Sequence, residues 1–114
     1  MRLFVYGTLL RGEANHAIVA RARFIAEAHT APMFELLDLG EYPGLVAGGA
    51  RSIAGEVYEI DPEDIAVVDE FEGHPDLFRR EMIALSDGSS AFSYVLARRP
   101  AKSVVIVGDS WRTR

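Results

Sequence analysis

Only one stretch of this sequence reads as a helix, and everything around it is cut into short β-type runs by glycine and proline. The helical stretch opens at Asp61-Pro62-Glu63-Asp64. Aspartate is a good N-cap, proline suits the first helical position, and the next two acids complement the positive end of the helix dipole. Ile65, Val68 and Phe71 then recur as an apolar stripe. Gly73 is placed to end the helix and Pro75 keeps it from resuming.

The β-type runs are residues 3–6, 23–30, 33–39, 53–60, 77–85, 91–97 and 103–107. Turns fall at residues 40–44 and at Gly48-Gly49, and Asp87-Gly88 is a hairpin signal. A short helical turn over residues 16–20 follows Asn15, a candidate N-cap. Many short strands with one helix inserted make an α+β chain, and strands wrapped around one helix imply a small mixed β-barrel or strongly curved sheet. At 114 residues this is a single domain, residues 1–114.

Several function classes drop out. A net charge of −5 gives no broad attraction for nucleic acid or an anionic membrane. There is no cysteine, so a disulfide, a thiolate nucleophile and a Cys-ligated zinc site are excluded. That absence is compatible with a cytoplasmic protein. No apolar run approaches the roughly 18 residues of a membrane span. The apolar start stops at Gly7, too short for a signal-peptide core. Gly7 and Gly12 share the outer spacing of a P-loop, but Glu13 and Ala14 stand where its lysine and hydroxyl residue belong. His16, His29 and His74 show no metal-ligand spacing, and there is no G-x-S-x-G elbow.

Two constellations remain. On the helix, Glu72 lies seven residues after Ile65 and four after Val68, hence on the same inward face. Asp69 is also inward, while Glu70 points away. A carboxylate on an apolar face is either solvated, paired with Arg79 or Arg80, or tuned for proton transfer. Desolvation and the negative end of the helix dipole would both raise its pKa, as suits a base working near neutral pH. The second constellation is Tyr6-Gly7-Thr8-Leu9-Leu10, just after the first strand. A glycine there is either an ordinary turn or lets main-chain N–H groups converge on an anion or a developing oxyanion.

Phe4-Val5-Tyr6-Gly7-Thr8-Leu9, then Arg11-Gly12 and Asn15-His16, resembles the opening of the γ-glutamylcyclotransferase-like family. That family includes γ-glutamylamine cyclotransferase and the AIG2-like proteins. The resemblance continues through Tyr42-Pro43, Gly55-Glu56-Val57-Tyr58, and Asp69-Glu70-Phe71-Glu72-Gly73 with Pro75, Phe78 and Arg80, and ends in residues 108–111. It implies a small mixed β-barrel with flanking helices. It also implies an enzyme in which the α-amine of a γ-glutamyl amine or γ-glutamyl amino acid attacks its own γ-carbonyl. The products are 5-oxoproline and a free amine, with no cofactor and no metal. The catalytic glutamate of the family matches Glu72, and its substrate-binding loop matches Tyr6, Gly7, Thr8 and Leu9. The chain departs from the pattern at Phe78, where relatives commonly carry tyrosine. The competing expectation is a non-catalytic domain on the same scaffold that binds a small anion; oligomeric state is left open.

Overall fold

Strand β1 (Arg2–Val5) is buried on both faces, and that sets the layering of the molecule. In the computed structural model, which describes all 114 residues, Phe4 points into one apolar core and Leu3 and Val5 into another. This is the period-two alternation of a strand. The chain continues through β2 (Arg23–His29), β3 (Phe34–Asp38), β4 (Pro43–Ala47), β5 (Ala54–Glu59), helix α1 (Ile65–Glu72), β6 (Phe78–Ala84), β7 (Ser90–Leu96) and β8 (Val104–Val105). Two 3-10 turns, His16–Val19 and Trp111–Thr113, complete it. No helix is long and apolar enough to cross a membrane.

The strands form one mixed sheet in the order β2-β5-β1-β7-β4-β3-β8, with β6 paired to β7 as well. The end of β2 meets the end of β6 through the Thr30–Leu85 bridge. Ala31 N–H donates to the Ala84 carbonyl at 3.0 Å, and Ser86 N–H to the His29 carbonyl at 2.9 Å. Strands β6, β7, β1, β5 and β2 therefore run round into a ring, the curled α+β architecture expected of the sequence. The ring encloses Phe4, Val57, Ile83, Ala91 and Val95. The second core, with Leu3, Val5, Tyr58 and Tyr94, lies outside it beneath Ile65 and Val68 of α1.

A fork in this sheet positions the site. β6 pairs with β7 along the whole of one edge, from Phe78–Leu96 to Ala84–Ser90. The other edge is shared: β1 pairs with it at Phe92 and β4 at Val95, both parallel. Past Val5 the chain therefore finds its place on β7 already taken by β4, and it leaves the sheet. The Tyr6 hydroxyl spans the gap, donating to the Tyr94 carbonyl at 2.7 Å and accepting from Leu45 N–H at 3.1 Å.

Three local expectations change. The helix begins at Ile65, not Asp61; residues 61–64 form a tight turn, with Asp64 N–H donating to the Asp61 carbonyl at 2.9 Å. Neither aspartate tops the helix with a side-chain bond: the Asp64 carboxylate sits near Arg21 instead, at 3.8 Å. Phe71 is 41% exposed, because six steps of about 100° carry it well off the Ile65 direction. Strand β4 occupies the end of what reads as a turn; the reversal itself is shorter, with Leu39 N–H bonded to the Tyr42 carbonyl at 3.0 Å. Proline is tolerated at the first residue of a strand, which is where Pro43 stands.

Candidate active site

A cavity of about 280 Å³ opens where the sheet forks, and the residues that line it come from distant parts of the chain. Tyr6, Gly7, Thr8 and Leu9 form one part of its wall and Glu72 another. Asn15, Tyr42, Pro43, Phe78 and Tyr94 are also in the lining. Of its 15 residues none is Lys, Arg or His, and the carboxylates are Glu41 and Glu72.

Glu72 reaches the cavity because α1 stops there. Gly73 takes the left-handed conformation at φ +67° and its N–H bonds the Glu70 carbonyl at 3.1 Å. Only glycine adopts that geometry without strain. The helix end is tied down on both sides of Glu72. Three residues earlier, Asp69 accepts from the Tyr94 hydroxyl at 2.6 Å and lies 3.3 Å from Arg80 Nε. Two residues later, His74 Nδ1 accepts from Arg80 N–H at 3.0 Å. Arg79 pairs with Glu81. Both arginines that could have neutralised Glu72 are thus engaged elsewhere, and its carboxylate has no ion pair or hydrogen bond. Burial pushes it up to about 7, since an ionised carboxylate removed from water without a partner is destabilised.

The loop presents the complementary chemistry. The N–H groups of Gly7, Thr8 and Leu9 donate to no group of the protein, whereas their carbonyls are all taken. Leu10 N–H bonds the Gly7 carbonyl at 3.1 Å, Asn15 N–H the Thr8 carbonyl at 2.9 Å, and His16 Nδ1–H the Leu9 carbonyl at 2.8 Å. The loop's far end is anchored by the buried Glu56 carboxylate, which accepts from Arg11 N–H at 3.0 Å, Arg11 Nε at 3.2 Å and the Tyr58 hydroxyl at 3.0 Å. Burial alone would raise Glu56; these donors outweigh it and hold the carboxyl below its usual range. At the near end Gly7 packs on Pro43 so closely that a Cβ would stand 2.6 Å from the proline Cγ. Glycine is needed here for space, not for positive φ.

The structure thus gathers Glu72, Tyr6, Gly7, Thr8 and Leu9 around one cavity and leaves Asp69 outside it, bonded to Tyr94 and Arg80. Tyr6 contributes main chain and ring, its hydroxyl being engaged across the fork. Tyr94 was not singled out by the sequence reading; the alternation Phe92, Tyr94, Leu96 within the candidate strand was the available signal, since these residues share the side that packs toward α1. No three of the His, Asp and Glu side chains gather closely enough to hold a metal ion. Chemically, the cavity offers one proton acceptor of neutral-range basicity and a set of fixed main-chain donors.

Known proteins of similar sequence place the chain in a family. The family described as gamma-glutamyl cyclotransferase, AIG2-like, matches residues 3–113. The chain is 32% identical over 114 residues to the gamma-glutamylcyclotransferase family protein YtfP of Escherichia coli strain K12, covering 100% of this chain and 98% of that one. It is 39% identical over 87 residues to the gamma-glutamylaminecyclotransferase of Bos taurus, covering 68% of this chain and 52% of the bovine protein. The solution structure of ytfP from E. coli superposes with a TM-score of 0.77 at 31% identity, covering 100% of both chains. The chain belongs to the gamma-glutamyl cyclotransferase, AIG2-like family of enzymes.

Proposed function

We propose that this enzyme cyclises a γ-glutamyl amine or γ-glutamyl amino acid to 5-oxoproline and releases the free amine, with Glu72 as the general base. The observation that carries the reading is a partnerless carboxylate raised to about 7, sharing one cavity with three unengaged main-chain N–H groups. An α-ammonium group is not a nucleophile, so Glu72 takes its proton. The freed amine attacks the γ-carbonyl carbon, and the N–H groups of residues 7–9 hold either the developing oxyanion or the α-carboxylate. Glu72 passes the first proton to the leaving nitrogen and takes a second from the ring nitrogen. The bond to the leaving amine then breaks, and the second proton goes to the departing amine, leaving 5-oxoproline with one N–H and Glu72 ionised again. Water is not consumed and no cofactor takes part. A non-catalytic anion binder would use the same N–H groups but gain nothing from a carboxylate beside them.

Incubation with a panel of γ-glutamyl compounds, assayed for 5-oxoproline, tests the reaction. Glu72→Gln should lower the rate on the order of 10²–10⁴-fold while leaving the fold intact, and Asp69→Asn should cost less. An inactive Asp69→Asn beside a normal Glu72→Gln would mean that the base is the other carboxylate.

A further inference from the structure

Resting on the cyclotransferase reading, we propose that the Asn15 carboxamide is a substrate-binding group that holds the α-carboxylate of the γ-glutamyl moiety together with the N–H groups of residues 7–9. The cavity has no cation in its lining, so neutral donors must bind that carboxylate. The hydroxyls of Tyr6 and Tyr94 are already spent on the Tyr94 carbonyl and on Asp69. Thr8 and Tyr42 each bring one free hydroxyl to the lining, and Asn15 brings a carboxamide: it precedes a 3-10 turn, and yet its side chain makes no capping bond and no other hydrogen bond. Its backbone is fixed all the same. Asn15 N–H bonds the Thr8 carbonyl at 2.9 Å, its own carbonyl accepts from Ile18 N–H at 3.1 Å, and the next residue, His16, holds the Leu9 carbonyl. The carboxamide is therefore carried on the same hydrogen-bonded unit as the free loop amides, with two N–H donors to offer.

A neutral donor also suits the chemistry better than a cation. Lysine or arginine here would grip the substrate carboxylate, but it would equally stabilise ionised Glu72 and pull its carboxyl back down, weakening the base. Asparagine binds the anion and leaves Glu72 basic.

The test compares binding of 5-oxoproline with that of 2-pyrrolidinone, the same ring without the carboxylate, by calorimetry at pH 8. The protein should prefer 5-oxoproline. Asn15→Asp keeps the size and replaces the donor with a negative charge; it should weaken 5-oxoproline by about tenfold or more while leaving 2-pyrrolidinone unchanged, and Asn15→Ala should fall between. In turnover, the neutral Asn15→Ala should raise KM with kcat little altered, the signature of lost uniform binding. Because the readout is a difference between two ligands, general misfolding, which weakens both alike, counts against the proposal. An Asn15→Asp variant that keeps the wild-type preference, or a wild type with no preference, overturns it. Selective loss in a protein that cyclises no γ-glutamyl compound would retain the carboxylate subsite and remove the cyclotransferase reading instead.

Discussion

Glu72 and Asp69 lie one turn apart on the same helix and have opposite fates. Asp69 receives a tyrosine hydroxyl and sits beside a guanidinium, so its charge is met inside the protein. Glu72 receives neither, and burial raises it to about 7. That Glu72 faces inward was legible from its seven-residue spacing to Ile65, since seven residues make nearly two full turns. Which carboxylate would capture Arg80 was not legible, because it depends on the register of β6 and β7 that sets Arg80 opposite Tyr94. The difference has a kinetic consequence. A base must be ionised to work, so kcat/KM should fall below about pH 7, tenfold per pH unit once Glu72 is mostly protonated in the free enzyme. A profile that stays flat down to pH 5 would show that the essential base is an ordinary carboxylate.

At the scale of elements, the free amides of residues 7–9 are a product of strand competition. β1 and β4 share one edge of β7, and β4 takes the portion that the chain beyond Val5 would have used. The loop's existence was legible from Gly7 following a β-type run, but the cause was not, because residues 43–47 read as the tail of a turn. Pro43 and Gly44 are both poor strand formers, and each is there for a contact: Pro43 packs on Gly7, and a Cβ on Gly44 would stand 2.3 Å from Leu96 Cδ1. The helix start misled for a related reason: Asp61-Pro62 fits an N-terminus by local chemistry, while Ile65 and Val68 decide where the helix can seat on its core. The fork leaves backbone groups of β7 and β4 without strand partners, and the Tyr6 hydroxyl satisfies two of them. Tyr6→Phe strands the Leu45 N–H and the Tyr94 carbonyl in a buried setting. It should destabilise the protein by about 1–3 kcal/mol, measured by urea melts. A variant as stable as wild type would mean that the fork does not depend on this bridge.

Over the whole molecule, the site is set against the outer of two cores, and its chemistry acts on the stability of the fold. Folded Glu72 titrates at about 7, and an unfolded glutamate at about 4.3. The folded chain therefore binds this proton more tightly than the unfolded chain does. The stabilising contribution is complete below about pH 4.3 and is lost as pH rises through about 7. The shift corresponds to at most about 4 kcal/mol, and to less in so far as the partly exposed carboxylate keeps water. Glu72→Gln preserves shape and removes the charge. At pH 8, where the wild type carries an ionised and partnerless carboxylate, the variant should be the more stable protein. Near pH 4 the gap should close, because folded wild type is then protonated and the glutamine resembles it. Urea melts of both proteins at the two pH values measure the effect directly. A Glu72→Gln variant less stable than wild type at pH 8 would mean that the ionised carboxylate is stabilised within the fold, and a base raised by burial could not then account for the reaction.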